Sequence, residues 1–341
     1  MNLSFLSFLS FRKPLLLSVG LLSLAAMAAL AATAPNSEPP SWAFVVSPTP
    51  PPIQDDGSVL HVPGSSRGFT LSEVKALFGA PDWHPDEHPA MPNVVATGRA
   101  PDVRPCAYCH LPNGLGRPEN ASLAGLSPAY IKQQVADFKS GARKSSQPNL
   151  NPPNLMIGVA KHVTDADLDA AANYFASLKP MPWIKVIESN TIPKTRINGG
   201  MLMPALEGGT EPIGNRIVEI PDDVARTELR DSQSAFTAYV PVGSIKRGEM
   251  LVATGGAKVV AGKIVPGKTI QCGICHGADL RGLAAVPRLA GRSPSYLMRQ
   301  LYDIQHGSRA GVWTGLMQGV VAHLDQNDLI DIVAYLSSRT P

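Results

Sequence analysis

The sequence is poor in cysteine, in aromatic residues and in unbalanced charge. Its 341 residues include only four cysteines, so any thiol chemistry is confined to four positions. The formal net charge is +3, and Arg12 and Lys13 belong to the N-terminal leader, so no basic patch for nucleic acid remains. Aromatic residues make up 6%, whereas 32 prolines and 30 glycines predict much irregular chain. A large bound group that fills the core would explain how such a chain folds.

All four cysteines lie in two copies of Cys-x-x-Cys-His, at 106–110 and 272–276. This spacing places two thiols on one helical turn, where they can add to the vinyl groups of a haem while the histidine reaches the iron. A redox dithiol or half of a zinc site also uses Cys-x-x-Cys. The directly following histidine in both copies argues against both of these, and a pair of disulfides is the remaining alternative. We therefore predict two haem c groups, attached to Cys106, Cys109, Cys272 and Cys275, with His110 and His276 as proximal ligands.

From Cys106 onward the chain repeats itself at a constant offset. The segment 123–143 recurs as 289–309, with Leu-Ala-Gly, Tyr-x-x-x-Gln and Gly-x-Arg at matching positions. Each copy predicts three helices: one at the haem motif, one that ends near the glycine, and one at the end of the copy. A repeat of this size with its own haem is predicted to be a domain.

The second axial ligand of each iron is predicted to be a methionine. Met156 and Met317 occupy matching positions ahead of the last helix. His162 and His323 also repeat, so bis-histidine ligation is the alternative. A His/Met pair fills both axial positions and favours electron transfer over substrate turnover. The remaining predicted pocket residues are Arg143 and Arg309, which could pair with haem propionates, and Tyr130 and Tyr296.

Residues 1–31 have the pattern of an export signal, in which Arg12 and Lys13 precede an apolar run that ends in small residues. An uncleaved membrane anchor is the alternative, because the apolar run is just long enough to span a bilayer. Either form predicts a periplasmic protein. The expected order is the signal (1–31), a Pro-rich extension (32–92), a first haem domain (93–180), an insert (181–243) and a second haem domain (244–341). A small hairpin is predicted at 258–265.

The ordered motifs, seen twice, resemble those of dihaem class I cytochromes c of the cytochrome c4 type, over about 99–178 and 244–339. The resemblance implies an all-α fold of two tandem haem domains, with the haems close across the domain interface, and electron transport in the periplasm. It also implies that Pro287 holds the second proximal histidine through its carbonyl, whereas Ala121 stands at the corresponding position in the first copy. The extension and the insert depart from the family's pattern.

The leading functional hypothesis is a periplasmic electron carrier, with a dehydrogenase as donor and an oxidase or another cytochrome as acceptor. The first alternative is a dedicated cytochrome subunit of a dehydrogenase complex, with the extension and insert as docking surfaces. The second is a dihaem peroxidase-like enzyme, against which the matching methionines count because that enzyme needs an open axial position. The sequence also predicts a higher potential for the haem at His276, because residues 283–286 are apolar whereas residues 114–120 are polar and Gly-rich.

Overall fold

The computed structural model describes residues 38–49 and 52–341. The predicted signal, residues 1–31, lies outside the described residues, as does the start of the extension. Among the described residues, no helix is both long and apolar enough to cross a membrane. Residues from Pro39 to Pro341 form one unit that contains both copies of the repeat.

The described part of the extension packs against the insert. Its elements are α1 (Leu71–Lys75) and a 3-10 turn (Pro85–Glu87), and α2 (Asn93–Ala96) then opens the first haem domain. Thr70 and Glu73 form a capping box at the start of α1. The buried Trp83 donates from Nε1 to the carbonyl of Leu229 in the insert at 2.8 Å. This contact fixes the extension on the folded body.

The first haem domain contains one more helix than the sequence predicts. Its helices are α3 (Cys106–His110), α4 (Pro128–Ser140), α5 (Asn151–His162) and α6 (Asp165–Ser177). Ser127 and Thr164 cap α4 and α6, and Gly141 ends α4 in a left-handed conformation with φ 78°. The additional helix, α5, begins at a Pro-Pro pair, which is favourable in a first turn but reads as loop in a sequence.

The insert forms sheets where the sequence predicts irregular chain, and a hairpin lies in the second haem domain, so the all-α prediction is correct only in part. Its elements are β1 (Ile184–Glu188), β2 (Thr191–Pro193), β3 (Thr195–Asn198), β4 (Met201–Pro204), β5 (Thr210–Pro212), β6 (Val218–Pro221), α7 (Val224–Glu228) and β7 (Phe236–Val240). A three-stranded sheet has the order β1-β7-β6, in which β1 is parallel and β6 antiparallel to β7. The strands have three to five residues, too few to give a clear alternation in the sequence.

The second haem domain repeats the helices of the first and adds a helix and a hairpin at its start. Its elements are α8 (Ser244–Thr254), β8 (Lys258–Val260), β9 (Lys263–Val265), α9 (Gly273–His276), α10 (Pro294–Gln305), a 3-10 turn (Val312–Thr314), α11 (Gly315–Val321) and α12 (Gln326–Ser338). The pair β8–β9 is the predicted hairpin, and Ala261 and Gly262 turn it with φ 50° and 77°. Gly248 lets α8 approach α12, since a Cβ there would lie 1.9 Å from the Asp331 carbonyl oxygen.

The insert's central strand joins the hydrophobic cores of the two haem domains. Phe236 of β7 is buried in the cluster formed by the first domain's helices. Ala238 and Val240, on the same strand, belong to the cluster formed by α10 and α12 of the second. Trp42 and Phe44 of the extension lie in this second cluster as well. The extension and the insert are therefore structural parts of the body that holds both sites.

Candidate haem sites

Each Cys-x-x-Cys-His motif ends in a histidine whose ring faces a backbone carbonyl. The Nδ1 atom of His110 lies 2.8 Å from the oxygen of Ala121, and that of His276 lies 2.8 Å from the oxygen of Pro287. Because a carbonyl oxygen can only accept, Nδ1 must carry the proton, and Nε2 is left free to bind a metal. Ala121 thus orients its histidine in the same way as Pro287.

The chain leaves each motif through a residue with left-handed backbone. Leu111, after the first histidine, has φ 62°, and Gly277, after the second, has φ 82°. Glycine adopts this conformation freely, whereas leucine is strained in it. The first motif therefore keeps its geometry at an energetic cost that the second avoids.

Burial sets the protonation of the motif side chains. Desolvation lowers the pKa of the His110 and His276 imidazoles, so both rings are neutral at neutral pH and can act as ligands. Burial also raises the pKa of the Cys106 thiol to about 12 and that of the Cys272 thiol to about 11. An activated redox dithiol needs a lowered thiol pKa, so this environment disfavours the redox-dithiol alternative.

A cavity lined by both domains brings His110 and Met156 together. Met156 lies on α5 and is half-buried, and α4 supplies further lining residues, among them Tyr130 and Phe138. The second domain supplies the remaining polar wall: Arg292, Tyr296, Arg299, Gln300 and Asp303. The pocket of the first motif is therefore complete only when the two domains are packed together.

In the second domain, Met317 lies on α11 and is half-buried. It packs against the same hydrophobic cluster as Cys272. Thr269, three residues ahead of the motif, donates from its hydroxyl to the carbonyl of Val320 on α11 at 2.7 Å. The methionine-bearing helix is thus tied to the segment that leads into the motif.

The two histidines considered as alternative ligands lie on the surface. His162 is exposed, and its Nδ1 lies 3.0 Å from the carbonyl oxygen of Gly158 in its own helix. His323 is also exposed. These positions favour the methionines as the partners of the motif histidines.

Arg143 joins the two domains in a buried hydrogen-bond network. It donates to Gln134 at 3.0 Å in its own domain. Across the interface it donates to the hydroxyl of Tyr296 at 3.3 Å and to the side-chain oxygen of Gln300 at 2.8 Å. The sequence predicts Arg143 and Tyr296 as haem-pocket residues, and the structure places both at the domain junction, in the wall of the cavity beside His110.

Arg309 makes the reciprocal contacts from the second domain. It donates to Tyr130 at 3.0 Å and to Gln134 at 2.8 Å across the interface, and to Gln300 at 3.1 Å in its own domain. The backbones of Arg143 and Arg309 also form an antiparallel bridge. The repeated Tyr, Gln and Arg positions therefore meet around a local two-fold relation between the domains.

Three buried arginines at the junction escape prediction from the motifs alone. Arg288, Arg292 and Arg299 replace Ser122, Leu126 and Gln133 of the first copy. They donate mainly to backbone carbonyls, and the Nε atoms of Arg288 and Arg292 have no partner among the described residues. A comparison of the two copies would have identified them, because each is a cation that the first copy lacks.

The residues present fit a haem. Two thiols on one helical turn, a carbonyl-oriented histidine and a methionine are the donors that a covalently bound haem needs. Within the described chain, Arg143, Arg292 and Arg309 have no carboxylate within salt-bridge distance. These guanidinium groups are held by neutral oxygens only, and propionate carboxylates would supply the opposite charge that stabilises a buried cation.

No family model matches the sequence. The cytochrome c4 of Stutzerimonas stutzeri is 42% identical over 80 residues, which cover 21% of this chain and 38% of that protein. The chain thus matches well under half the length of the cytochrome c4 relatives. Cytochrome c-554(548) of Halomonas halodenitrificans is 39% identical over 69 residues, which cover 20% of this chain and 83% of that protein.

A longer match joins the chain to a protein named thiosulfate dehydrogenase electron acceptor, from Thiomonas intermedia. It is 24% identical over 243 residues, which cover 70% of this chain and 80% of that protein. Among solved structures, the thiosulfate dehydrogenase TsdBA of Marichromatium purpuratum has a TM-score of 0.45 and 26% identity, and the match covers 71% of this chain and 38% of that one.

The repeated motifs, with their carbonyl-held histidines, define a c-type cytochrome. The similarity to cytochrome c-554(548) covers most of that protein and identifies the family. The chain belongs to the class I cytochromes c, its sequence is similar to part of cytochrome c4, and its cofactor is haem c.

Proposed function

We propose that this chain is a periplasmic dihaem cytochrome that transfers single electrons between redox proteins. The cavity that holds both His110 and Met156 carries the proposal. An imidazole and a thioether on one iron leave no position for a substrate. Haem c, when bound, supplies reversible one-electron oxidation and reduction. Export rests on the signal pattern of residues 1–31.

The protein's own groups hold, orient and neutralise the cofactor in this proposal. The axial pairs are His110 with Met156 and His276 with Met317, and attachment is through the four cysteines. Neutral imidazole, favoured by burial, is the form that binds iron. The two haem domains span 93–180 and 244–341.

The axial pairs can be tested by the weak sulfur-to-iron absorption near ~700 nm that His/Met ligation gives in the oxidised state. Met156→Ala and Met317→Ala should each remove part of this band, and the double variant should remove all of it. His162→Ala is the matched control, since this exposed residue should leave the band unchanged. Absence of the band from the unmodified protein would instead support bis-histidine ligation.

A second candidate function is that of a dedicated cytochrome subunit of a dehydrogenase. The alignment with the thiosulfate dehydrogenase electron acceptor favours it, because that alignment covers 70% of this chain. Oxidised protein should then be reduced when a thiosulfate dehydrogenase and thiosulfate are both added, and remain oxidised when either is omitted. Equal reduction by unrelated dehydrogenases would support a general carrier instead.

An enzymatic role of the peroxidase type would need an open axial position. The reduced protein should not change its spectrum under carbon monoxide if both irons are six-coordinate. A carbon monoxide complex at one haem, together with turnover of peroxide, would count against the electron-carrier proposal.

A further inference from the structure

Segments outside the repeat lie against the first haem-attachment motif. Tyr108, between the two cysteines, is only 7% exposed. The guanidinium of Arg230, in the insert, lies 3.8 Å from the centre of the Tyr108 ring and donates to the Tyr108 carbonyl at 2.8 Å. The Tyr108 hydroxyl also points to the carbonyl of Lys75 on α1, at 3.5 Å. The extension and the insert thus form a cover over this motif, and the extension also carries a histidine, His88, that reaches the same domain.

His88 connects the extension to the loop that follows the first motif. Its side chain is 3% exposed, and its Nε2 atom lies 3.1 Å from a carboxylate oxygen of Asp82. Its Nδ1 atom lies 3.1 Å from the hydroxyl oxygen of Tyr174 on α6 and 2.9 Å from the carbonyl oxygen of Pro89. That hydroxyl donates to the carbonyl of Pro112 at 2.7 Å, in the loop directly after the motif histidine. A chain of hydrogen bonds therefore runs from Asp82 to this loop.

The partners of His88 require protons on both of its ring nitrogens. The one proton of the Tyr174 hydroxyl is used on Pro112, so this group presents a lone pair to His88. The other partners of the ring, a backbone carbonyl and the carboxylate of Asp82, can only accept. The arrangement therefore fits the positively charged imidazolium form of His88.

Among the described residues, the titratable groups that face the His88 ring are Asp82, Glu87 and Tyr174. The hydrogen bond to Asp82 raises the pKa of His88, desolvation opposes the rise, and the charge of Glu87 adds to it. Burial and the charge of Asp82 raise the pKa of the Tyr174 hydroxyl, so this group keeps its proton. His88 is therefore the member of the chain that gains and loses a proton in the neutral pH range.

Loss of the proton from His88 forces a hydrogen bond to move. With Nε2 still donating to Asp82, Nδ1 becomes a lone pair that faces a carbonyl and a hydroxyl. The Tyr174 hydroxyl satisfies this lone pair by turning its proton from Pro112 to Nδ1. The buried Pro112 carbonyl then loses its donor, next to Leu111, whose backbone is already strained at φ 62°. Protonation of His88 is thus linked to the loop that leaves the first motif.

Aromatic side chains continue the connection to the proximal ligand. The rings of Tyr174 and Phe175 meet edge to face with their centres 5.3 Å apart. Phe175 in turn lies edge to face with His110, at 6.1 Å between ring centres. The proton site and the first haem site therefore share one packed interior, in which charges are screened less than at the surface.

The second domain lacks this arrangement. The residue that corresponds to Tyr174 is Tyr335, whose ring lies under the guanidinium of Arg339 at 5.4 Å. Within the described chain its hydroxyl has no hydrogen-bond partner. His88 precedes the start of the repeat and has no counterpart in the second copy. Any effect that passes through His88 should therefore act on the first haem site more than on the second.

We propose that His88 is a proton-binding site coupled to the redox state of the first haem, with the Tyr174 hydroxyl as the connecting group. This inference rests on the proposed electron-transfer function. When the haem at His110 accepts one electron, the domain loses one positive charge, so His88 binds one proton from water more tightly. Asp82, whose side chain is 22% exposed, connects the ring to solvent. When the electron passes to a partner, the proton is released. Because linkage is reciprocal, the potential of the first step falls as the pH rises through the pKa of His88.

Nuclear magnetic resonance of isotope-labelled histidine in the holoprotein measures the coupling directly. His88 should bind its proton at least about twofold more tightly in the reduced than in the oxidised protein, because a buried cation interacts with the charge of the iron. The carbonyl carbon resonance of Pro112 should shift with the same midpoint. Tyr174→Phe should reduce the redox dependence of the His88 affinity, whereas Tyr335→Phe, the matched control, should leave it unchanged. An affinity that is the same in both redox states would overturn the proposal, and an unchanged dependence in Tyr174→Phe would overturn the role of the hydroxyl.

Redox titrations from about pH 5 to about pH 9 give a second readout. His88→Gln should remove the decline in the potential of the first step that has the His88 midpoint, and should leave the step at His276 unchanged. The matched control is His61→Gln, which replaces an exposed histidine of the same extension. Equal effects of the two substitutions, or a decline that persists in His88→Gln, would contradict the proposal. If neither haem shows a reversible one-electron step, the proposed electron-transfer function itself fails, whereas a reversible step without this pH dependence overturns the role of His88 alone.

Discussion

The two haem domains share their interior geometry and differ at their surfaces. In both, Nδ1 of the motif histidine lies 2.8 Å from a backbone carbonyl. The outer face of the first motif is covered by segments that the second lacks, so Tyr108 is 7% exposed and its counterpart Ile274 is 65% exposed. Contacts that position a metal ligand tolerate little change, whereas the surface of a repeat is free to diverge. The shared interior contacts define each haem site, whereas the surface segments determine how accessible its motif is.

Removal of the attachment cysteines should have the largest effect. Cys272→Ala/Cys275→Ala should reduce the number of covalent haems from two to one and lower the free energy of unfolding by at least about 4 kcal/mol, because the haem fills much of its domain's core. Cys106→Ala/Cys109→Ala should retain more non-covalent haem, since its motif is covered. Mass spectrometry after acid-acetone extraction counts the covalent haems. Gel filtration of the untreated protein measures the haem that is retained without a covalent bond. Equal retention in the two variants would contradict the effect of the cover.

The sequence predicts the haem-attachment motifs and their helices better than it predicts the segments that cover them. Local patterns suffice for the attachment motifs, for the caps at Ser127 and Thr164, and for the hairpin at 258–265. The sheet order β1-β7-β6 depends on a parallel pairing between strands far apart in the chain, which no local pattern encodes. The cover over Tyr108 likewise depends on long-range contacts.

The second-largest effect concerns the helix that follows each motif. Ser127 and Ser293 both cap that helix, but only Ser293 also donates to a buried carboxyl group, that of Glu219 on β6, at 2.7 Å. Burial raises the pKa of Glu219 to about 7 from its usual 4.5, against the hydrogen bonds and the charge of Arg299. The folded protein therefore holds this proton more tightly than the unfolded chain does.

The sign of the pH dependence follows from that raised pKa. The contribution of Glu219 to stability is fully present below about pH 4.5 and is lost as the pH rises through about 7, since only the unfolded state releases the proton in between. Glu219→Gln should remove this decline and gain up to about 3 kcal/mol relative to the unmodified protein above pH 7. Thermal unfolding of the holoprotein from pH 4 to pH 8 measures it, with Ser127→Ala as a variant that should leave the pH dependence unchanged. An unaltered pH profile in Glu219→Gln would contradict this account.

A smaller effect is expected where the cover itself is removed. Arg230→Ala should cost about 1–3 kcal/mol, because it loses both a stacking contact and a buried hydrogen bond. Ile274→Ala, at the equivalent open face, should change stability by no more than about 0.5 kcal/mol. Hydroxyl-radical footprinting should show higher modification of Tyr108 in the first variant. If the two substitutions prove equally mild, the first face is not held closed as described.

The smallest expected difference is in the redox potentials. The sequence predicts the higher potential for the haem at His276 from the apolar composition of residues 283–286, but the exposure of this loop does not support that reasoning. Residues 114–118 are buried, although their composition is polar and Gly-rich, whereas Leu283 and Ala284 in the apolar loop are exposed. The first pocket also has the guanidinium groups of Arg143, Arg292 and Arg299 in its wall.

Burial and nearby cations both disfavour the additional positive charge of ferric iron. Burial is greater around the first motif, where the charge of Arg143 also acts on His110. We therefore expect two resolved one-electron steps, with the haem at His110 at the higher potential. A redox titration of Met156→His and Met317→His assigns the steps, because the step that moves to lower potential belongs to the altered site. Arg143→Gln should lower the His110 step more than the His276 step, since the charge of Arg143 acts on His110. If Met317→His instead shifts the higher step, the prediction from the apolar composition of residues 283–286 is correct. Burial of the chain around a motif would then not control the potential of its haem.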